Sequence, residues 1–273
     1  GNVQGRLTQT QEQLSTGLQI VKPSDAPDKA SLVTRLESEL ARQKSHQDTL
    51  KSVNVRLTAE ETALKNTSDV MYRIKELAVQ AANDTVSAQD RQSIALEMDN
   101  LREQILSLGN SQDSNGNYLF SGSRASEPAF SKDSTGRIHY QGDQARMQVN
   151  VGDNRRMNLN MPGSDAFVRV VRDDGKGNQT GVDFFQALDD LVTAVKTSDY
   201  SNIQRGISEV DGLQQGVSEG LAQVGTDLTV VDMQNSVLDQ VVLRLKSTRS
   251  DVEDLDYTEA ITRMNKDQLA LQA

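Results

Sequence analysis

The sequence predicts a mainly α-helical protein whose N- and C-terminal arms form an elongated rod of coiled-coil type, with a β-rich segment inserted between them. Apolar residues repeat with heptad spacing in both arms. Residues 28–108 contain neither Gly nor Pro, so long helices can run there uninterrupted. The middle changes to a period of two, and eight of the ten aromatic residues lie between Tyr118 and Tyr200. We expect a discontinuous helical rod domain, residues 1–117 with 182–273, and a β-rich inserted domain, residues 118–181.

The composition argues against several classes of function. The net charge of −10 disfavours nucleic-acid binding, which requires a basic face. The chain has no Cys, so disulfides and thiolate chemistry are excluded. No run of about 18 apolar residues predicts a membrane span, and no signal peptide is recognisable. Because the first residue is Gly rather than Met, we expect a fragment or a processed chain.

The N-terminal arm follows a break at residues 21–27, where Pro23 and Pro27 cannot donate to a helix ladder. Either Ser24 or Asp25 can cap the helix that begins there. One seam column recurs every seven residues along this helix. Its members are Leu36, Gln43, Leu50, Leu57, Leu64, Met71 and Ala78.

A second break is predicted at residues 83–87. Ser87 is the expected N-cap of the next helix, with Asp90 three residues later as in a capping box. We expect that helix to continue to about Leu108 and to stop at Gly109, because Gly commonly ends helices.

The middle of the chain has the alternation of β-strands. The predicted strands are residues 138–141, 147–151, 157–161 and 167–172. The turn Gly152-Asp153-Asn154 joins the second and third as a hairpin. A Gly-rich loop at residues 174–181 ends the last strand, and residues 184–195 then have the spacing of one helix.

The C-terminal arm carries the longer seam. Fifteen positions from Ile203 to Val252 step by alternating fours and threes, and twelve of them are apolar. We expect this seam to pack against that of the N-terminal arm; the alternative is an ordinary amphipathic helix of a globular bundle. Isolated polar seam residues, here Gln214, Asn235 and Arg249, fix register at a cost in stability. The residues expected to form the rod seam are Leu36, Leu50, Leu57, Leu64, Val217, Leu221, Leu228, Leu238 and Leu245.

Five glycines lie off the seam at the start of this arm: Gly206, Gly212, Gly216, Gly220 and Gly225. Each costs a helix up to about 1 kcal/mol relative to Ala. Two interpretations stay open. The glycines allow a neighbouring element to approach closely, or the helix is weak or broken there.

The sequence offers no catalytic, cofactor-binding or metal-binding site, and we predict that the protein is not an enzyme. Neither His46 nor His139 has a Cys, His or paired carboxylate at metal-ligand spacing. Residues 113–117 look like the start of a calcium loop, but Tyr118 and Arg124 replace the required Gly and Glu. We predict a helix-ending turn there. Residues 175–181 lack dinucleotide-loop spacing and predict an exposed hairpin tip.

The sequence resembles the flagellin superfamily over most of its length. Residues 73–83, RIKELAVQAAN, are similar to a helix end of bacterial flagellins, and Asp90-Arg91 follows a polar break as it does there. Residues 14–18 with the break at 23–27 resemble the N-terminal break of the superfamily. Three further stretches resemble its hook-associated junction branch more than filament flagellins: Tyr118–Gly122, Gly163–Phe167 and Asp256–Ala260 with Ala270–Ala273.

This resemblance implies a structural subunit of the extracellular flagellum. Such a subunit is exported without a cleaved signal peptide, and it has no cofactor. Members of the branch connect hook-associated protein 1 to the flagellin filament, associate with copies of themselves and have an export chaperone. The polymerising terminal segments of the family are expected to lie beyond Gly1 and Ala273, so the present chain should be monomeric. Two alternatives stay open. The first is a filament flagellin, and the second is an unrelated coiled-coil adhesin or signalling protein whose middle segment binds a ligand.

By the same resemblance, subunit contacts are expected at residues 21–29 and 73–85. The residues expected to form the interface are Asp25, Arg73, Lys75, Leu77, Gln80 and Asn83. The alternative is that these residues pack within the monomer. Flagellins also use this region as an innate immune receptor epitope; Lys75 replaces the usual Arg, so receptor binding is not predicted.

Overall fold

The computed structural model describes residues 2–22 and 26–273, and these residues are mainly α-helical with small β-sheets, as the sequence predicts. The helices are α1 (Asn2–Thr16), α2 (Pro27–Ala81), α3 (Ala88–Gly109), α4 (Gly163–Ala166), α5 (Phe184–Lys196), α6 (Tyr200–Glu253) and α7 (Tyr257–Gln272). The strands are β1 (Phe130–Lys132), β2 (Ile138–Tyr140), β3 (Gln148–Gly152), β4 (Arg155–Asn158), β5 (Val170–Asp173) and β6 (Gln179–Val182). Strands adjacent in sequence pair as three separate antiparallel hairpins.

The chain divides into two compact units: residues 1–49 with 233–273, which we call the terminal unit, and residues 50–232, the central unit. Helices α2 and α6 each contribute to both. The division predicted from the sequence follows secondary structure instead, with boundaries after residues 117 and 181, and it stays a prediction.

In the central unit, α2 and α6 lie antiparallel. Gln214 Nε2 donates to Ser68 Oγ at 2.7 Å, and Lys75 Nζ lies 2.5 Å from Asp211 Oδ1, so residue numbers rise along one helix as they fall along the other. Side chains from both sequence seams are buried here: Leu50, Leu57, Leu64, Met71, Val210, Val217, Val224 and Val231. Leu221 and Leu228, from the other seam positions of α6, are half-buried.

In the terminal unit, α2 and α6 are also in contact, since Gln47 Nε2 donates to Asp239 Oδ1 at 2.8 Å. Leu238 is buried, whereas Leu36 and Leu245 are half-buried. Helix α1 packs on α7. Residues 17–19, which follow α1, lie beside residues 253–255, which precede α7, because Gln19 N donates to Glu253 O at 2.5 Å and Leu255 N donates to Gly17 O at 3.1 Å.

Helix α3 begins as predicted but ends for a different reason. Ser87 Oγ accepts a hydrogen bond from Asp90 N at 3.1 Å, which confirms the N-cap. Gly109 belongs to the helix, and Asn110 is the C-cap. A Cβ atom on Gly109 would lie 2.9 Å from the Phe130 ring. The predicted end of the helix is therefore confirmed to within one residue, but Gly109 makes room for a packed aromatic ring and Asn110 is the cap.

The β-rich segment is built around phenylalanine rings. Phe130, Phe167, Phe184 and Phe185 are buried, and neighbouring ring centroids are 5.1–5.2 Å apart in several pairs. Strand β1 was not predicted, and the strand expected to begin at residue 167 begins at Val170. The short helix α4 occupies the preceding residues and aims Phe167 into the aromatic cluster. The hairpin of β3 and β4, the hairpin tip before β6 and helix α5 are confirmed.

Helix α6 is unbroken from Tyr200 to Glu253, so the interpretation as a broken helix is wrong. A Cβ atom on Gly216 would overlap the Val168 side chain. On Gly206 it would lie 2.6 Å from Leu191 Cδ1, and on Gly220 it would lie 2.9 Å from Ala166 Cβ. These glycines therefore allow α5 and the residues around α4 to approach the α6 backbone.

Candidate assembly surface

The end of α2 and the turn that follows it form an exposed surface in the central unit. We call the exposed and half-exposed residues of the stretch 72–87 the assembly surface. Tyr72 and Val79 are 60% and 53% exposed, and their spacing of seven residues places them on one face of α2 with Glu76. Exposed aromatic and aliphatic side chains within a polar surround are typical of protein–protein interfaces.

Arg73 and Lys75 flank this face and connect α2 to its neighbours. Arg73 Nη2 lies 2.8 Å from Glu97 Oε1 on α3, and its Nη1 lies 2.9 Å from Glu76 Oε1. The hydrogen bond to Glu97 raises the pKa of the Arg73 guanidinium. Lys75 pairs with Asp211 on α6. Both side chains are half-exposed, so each retains surface that a partner can contact.

The turn between α2 and α3 is held by side chains from both sides. Asn83 Oδ1 accepts from Thr85 N at 3.0 Å. Arg91, on α3, donates from Nε to Ala81 O at 2.8 Å and from Nη2 to Asn83 O at 3.0 Å. These bonds satisfy carbonyl groups that the end of α2 leaves without intrahelical partners. The turn is therefore presented in a defined conformation.

The six residues predicted to form the interface differ in their exposure to solvent. Gln80 and Asn83 are exposed, and Arg73 and Lys75 are half-exposed. Leu77 is only 2% exposed, so its side chain packs in the core of the central unit and is not part of the surface. Asp25 lies outside the described residues. Sequence reasoning missed Tyr72, Val79 and Arg91; the seven-residue spacing of the first two was the available signal.

A second surface lies on the helix pair α1 and α7 of the terminal unit. Between the helices, Arg6 Nη2 lies 2.9 Å from Asp267 Oδ1, and Thr10 and Gln13 are buried. On the outside, α7 exposes apolar side chains: Ile261 at 46%, Leu269 at 68% and Leu271 at 45%. This pair buries polar groups and exposes aliphatic ones, the reverse of the usual distribution for an isolated helix pair.

The turn after α3 is structural. Asp113 Oδ1 accepts from Asn115 N at 2.8 Å and from Asn117 N at 3.0 Å, so the carboxylate closes the turn itself. His139 Nε2 lies 2.7 Å from Asp133 Oδ2 within the β1–β2 hairpin, and His46 lies half-buried on α2. In residues 2–22 and 26–273, no group of three or more His, Cys, Asp or Glu side chains could hold a metal ion.

A groove of about 520 Å³ runs between β5 and α6. The charges along it are paired: Arg172 Nη2 lies 2.8 Å from Glu209 Oε1, and Arg172 Nη1 lies 2.7 Å from Asp190 Oδ2. These pairs raise the pKa of Arg172, chiefly through the hydrogen bond to Glu209, and fasten β5 to α6 and α5. None of the described helices is long and apolar enough to cross a membrane.

Comparisons with known proteins agree with this architecture. Residues 1–125 match the family model for the bacterial flagellin N-terminal helical region. Flagellar hook-associated protein 3 of Escherichia coli K12 is 28% identical over 287 aligned positions, which cover all of this chain and 89% of that protein. The Salmonella typhimurium protein of the same name is 26% identical with the same coverage. Flagellin FlaB1 of Treponema pallidum is 23% identical over 96% of this chain.

Solved structures show the same fold. The crystal structure of Xanthomonas campestris FlgL aligns with a TM-score of 0.69 at 23% identity, covering 80% of this chain and 99% of that chain. The structure of flagellar hook-associated protein-3 from Legionella pneumophila aligns with a TM-score of 0.73 at 15% identity, covering 81% and 98%. The fold is therefore shared well beyond the level at which the sequences are easily aligned.

Proposed function

Because this chain belongs to the flagellin superfamily and matches flagellar hook-associated protein 3 along its whole length, we propose that it is a structural subunit of the bacterial flagellum at the hook–filament junction. The observation that carries this proposal is the coverage: the match includes all of this chain and 89% of the curated relative. Filament flagellins of similar coverage match at lower identity, 23% for the Treponema protein.

The physical character of the molecule supports a structural role rather than an enzymatic one. Helices of 55 and 54 residues pack side by side through aliphatic seams. Such packing spreads load over many weak contacts. The ion pairs in the groove beside β5 hold neighbouring elements together, and the hydrogen bonds of Asp113 hold the turn after α3. Neither place presents an activated nucleophile.

The proposed partners are hook-associated protein 1 on the hook side, flagellin on the filament side, further copies of the same subunit, and an export chaperone before assembly. The proposed location is the extracellular flagellum, reached by export. We further propose that the 273-residue chain alone is monomeric, since a net charge of −10 makes copies repel one another in dilute solution. Sedimentation velocity tests this, and a stable ring or filament would contradict it.

Subunit contacts are assigned to the assembly surface. Tyr72 and Val79 supply the apolar centre of the contact, with Gln80 and Asn83 at its polar edge. Arg73 and Lys75 have a second role within the monomer because each is already ion-paired to a neighbouring helix. The predicted contact at residues 21–29 includes Asp25 and stays a prediction.

Immunogold labelling of isolated flagella tests the junction role. An epitope inserted in the turn of residues 174–178 marks the subunit, because that turn lies at the exposed tip of the β5–β6 hairpin. Label confined to a narrow band at the hook end supports the proposal. Label along the whole filament would instead identify a filament flagellin, and label elsewhere on the cell would favour an adhesin.

A further inference from the structure

A buried carboxyl group lies between α2 and α6 in the central unit. Glu60, on α2, is 0% exposed. Neither of its oxygens accepts a hydrogen bond of normal geometry from the described residues. An ionised carboxylate in such surroundings is costly, whereas a neutral carboxyl is tolerated much better. Burial accordingly raises the pKa of Glu60 to about 8.

Charged groups face Glu60 from more than one element. On α2 itself, Arg56 Nε lies 3.5 Å from Glu60 Oε1 and favours the ionised form. From α6, Asp227 opposes ionisation, and burial raises the pKa of Asp227 as well. From the loop after α3, Asp113 Oδ2 lies 3.4 Å from Arg56 Nη1. The residue beside Glu60 from the β-rich segment is Met161, which brings a backbone amide and no charge.

Arg56 is shared between Glu60 and the loop of residues 111–119, which we call the clasp loop. Its Nη2 donates to Leu119 O at 3.1 Å, and its Nη1 faces Asp113. Its Nε has no hydrogen-bond acceptor among the described residues. To donate a hydrogen bond of normal length to an ionised Glu60, the guanidinium must move toward that carboxylate, because its Nε lies 3.5 Å from Glu60 Oε1. It would then lose its bond to Leu119, so two sets of partners compete for one side chain.

We propose that Glu60 and Arg56 form a proton-dependent fastening for the clasp loop. While Glu60 is neutral, Arg56 holds Leu119 and Asp113 and the loop is closed. When Glu60 ionises in alkaline solution, Arg56 turns to it and the loop opens. The inference concerns the folding of the chain and does not depend on the function proposed above.

Opening of the clasp loop has a structural route into the β-rich segment. Leu119 and Phe120 are 1% and 0% exposed, so the loop enters the core directly after its contact with Arg56. Phe120 O accepts hydrogen bonds from Gly163 N at 2.8 Å and from Tyr140 Oη at 2.8 Å. Loss of the fastening therefore loosens the anchorage of the β-rich segment on α2.

Carbon-13 NMR titration of the side-chain carboxyl carbons tests the first step on the unmodified protein. The resonance of Glu60 is assigned as the one that Glu60→Gln removes. We expect it to titrate in neutral to alkaline solution, well above the ordinary glutamate pKa of 4.5. A Glu60 midpoint close to 4.5 would overturn the proposal.

Hydrogen–deuterium exchange tests the second step. Protection of Leu119 and Asn117, corrected for intrinsic exchange at each pH, is compared at pH 6.5 and 9.5. We expect at least a tenfold loss of protection in the unmodified protein and in the control Glu61→Gln, and little loss in Glu60→Gln. Equal loss in Glu60→Gln and the unmodified protein would overturn the proposal, as would unchanged protection in the unmodified protein.

Asp227→Asn supplies a variant with a signed outcome. Because the Asp227 charge opposes ionisation of Glu60, its removal should let the clasp loop open at lower pH. We expect the pH midpoint of the protection loss to fall by roughly half a pH unit or more, because removal of one nearby like charge favours ionisation. An unchanged or higher midpoint would show that the loop responds to something other than Glu60.

Discussion

Arg91 on α3 donates a hydrogen bond from Nε to the carbonyl oxygen of Ala81, the last residue of α2, across 2.8 Å. One side chain thus closes the end of one long helix from the beginning of the next. The bond is part-buried and its donor is charged, two conditions under which a single hydrogen bond contributes measurably.

Arg91→Ala should therefore lower the free energy of unfolding by about 1–2 kcal/mol, because two carbonyl groups lose their donor. Urea denaturation measures the change, and amide exchange at residues 81–87 should rise. Arg155→Ala is the matched control, since Arg155 is exposed and makes no ion pair among the described residues. Equal effects of the two substitutions would contradict the capping role.

Substitution of the apolar centre of the assembly surface should separate assembly from folding. In cells that depend on this protein for flagellar assembly, the double variant Tyr72→Ser/Val79→Ser should impair motility, because it removes the exposed apolar contact. The free energy of unfolding should change by less than about 0.5 kcal/mol, as is usual for exposed positions. Val171→Ser removes a valine on β5 that is 69% exposed, more than Val79, and should leave motility intact. Normal motility of the double variant would rule out the contact.

The ion pairs beside that surface should contribute little to stability. A double-mutant cycle on Lys75 and Asp211, with each residue changed to Ala, should give a coupling energy of about 0.2–1 kcal/mol, as for other exposed pairs. The coupling should shrink in 1 M salt because screening weakens exposed charges. If Lys75→Ala nevertheless abolishes motility, its outward-facing side is used by a partner. A large coupling energy with normal motility would assign Lys75 to the monomer alone.

Two glycines of α6 should respond to Ala in opposite directions. Gly216→Ala should lower the free energy of unfolding by about 1–3 kcal/mol, since the new methyl group overlaps Val168. Gly225→Ala should raise it by up to about 1 kcal/mol, because no atom lies within 4 Å of the added Cβ and Ala is the better helix former. Thermal unfolding of both variants checks this; a shared sign would contradict the packing model.

The pH dependence of stability should carry the signature of Glu60. Its pKa of about 8 in the folded chain exceeds its ordinary value of 4.5, so the folded state binds the extra proton between these values. The contribution of Glu60 to the free energy of unfolding is therefore highest below pH 4.5. It falls as the pH rises toward 8, by up to about 4–5 kcal/mol. Glu60→Gln should remove this fall. Parallel curves for the two proteins from pH 5 to 9 would refute the assignment.

Features governed by local chemistry were predictable from the sequence. Ser87 was identified because an N-cap bonds to an amide three residues away, and the seam of α6 because a long helix must bury one face at regular spacing. The β3–β4 hairpin followed from a short turn between two alternating runs. Each of these depends on residues close in the chain.

Features that depend on distant residues were not predictable. Gly109 carries the same local signal as a helix stop, but its actual role depends on Phe130, which sequence reasoning could not place beside it. Leu77 belongs to a motif that the resemblance assigned to contact, yet α2 turns it inward. The partners of Arg91 and Glu60 exist only after the helices pack. Long-range packing therefore decided which members of a motif reach the surface.

Two backbone hydrogen bonds join residues 17–19 to residues 253–255 in the terminal unit, from Gln19 N to Glu253 O and from Leu255 N to Gly17 O. Tension applied to α1 is consequently resisted by both segments together, and neither has to bear it alone. Backbone hydrogen bonds of this kind do not depend on side-chain identity. Substitutions at Leu18 or Asp254 should therefore leave the connection between the two segments in place.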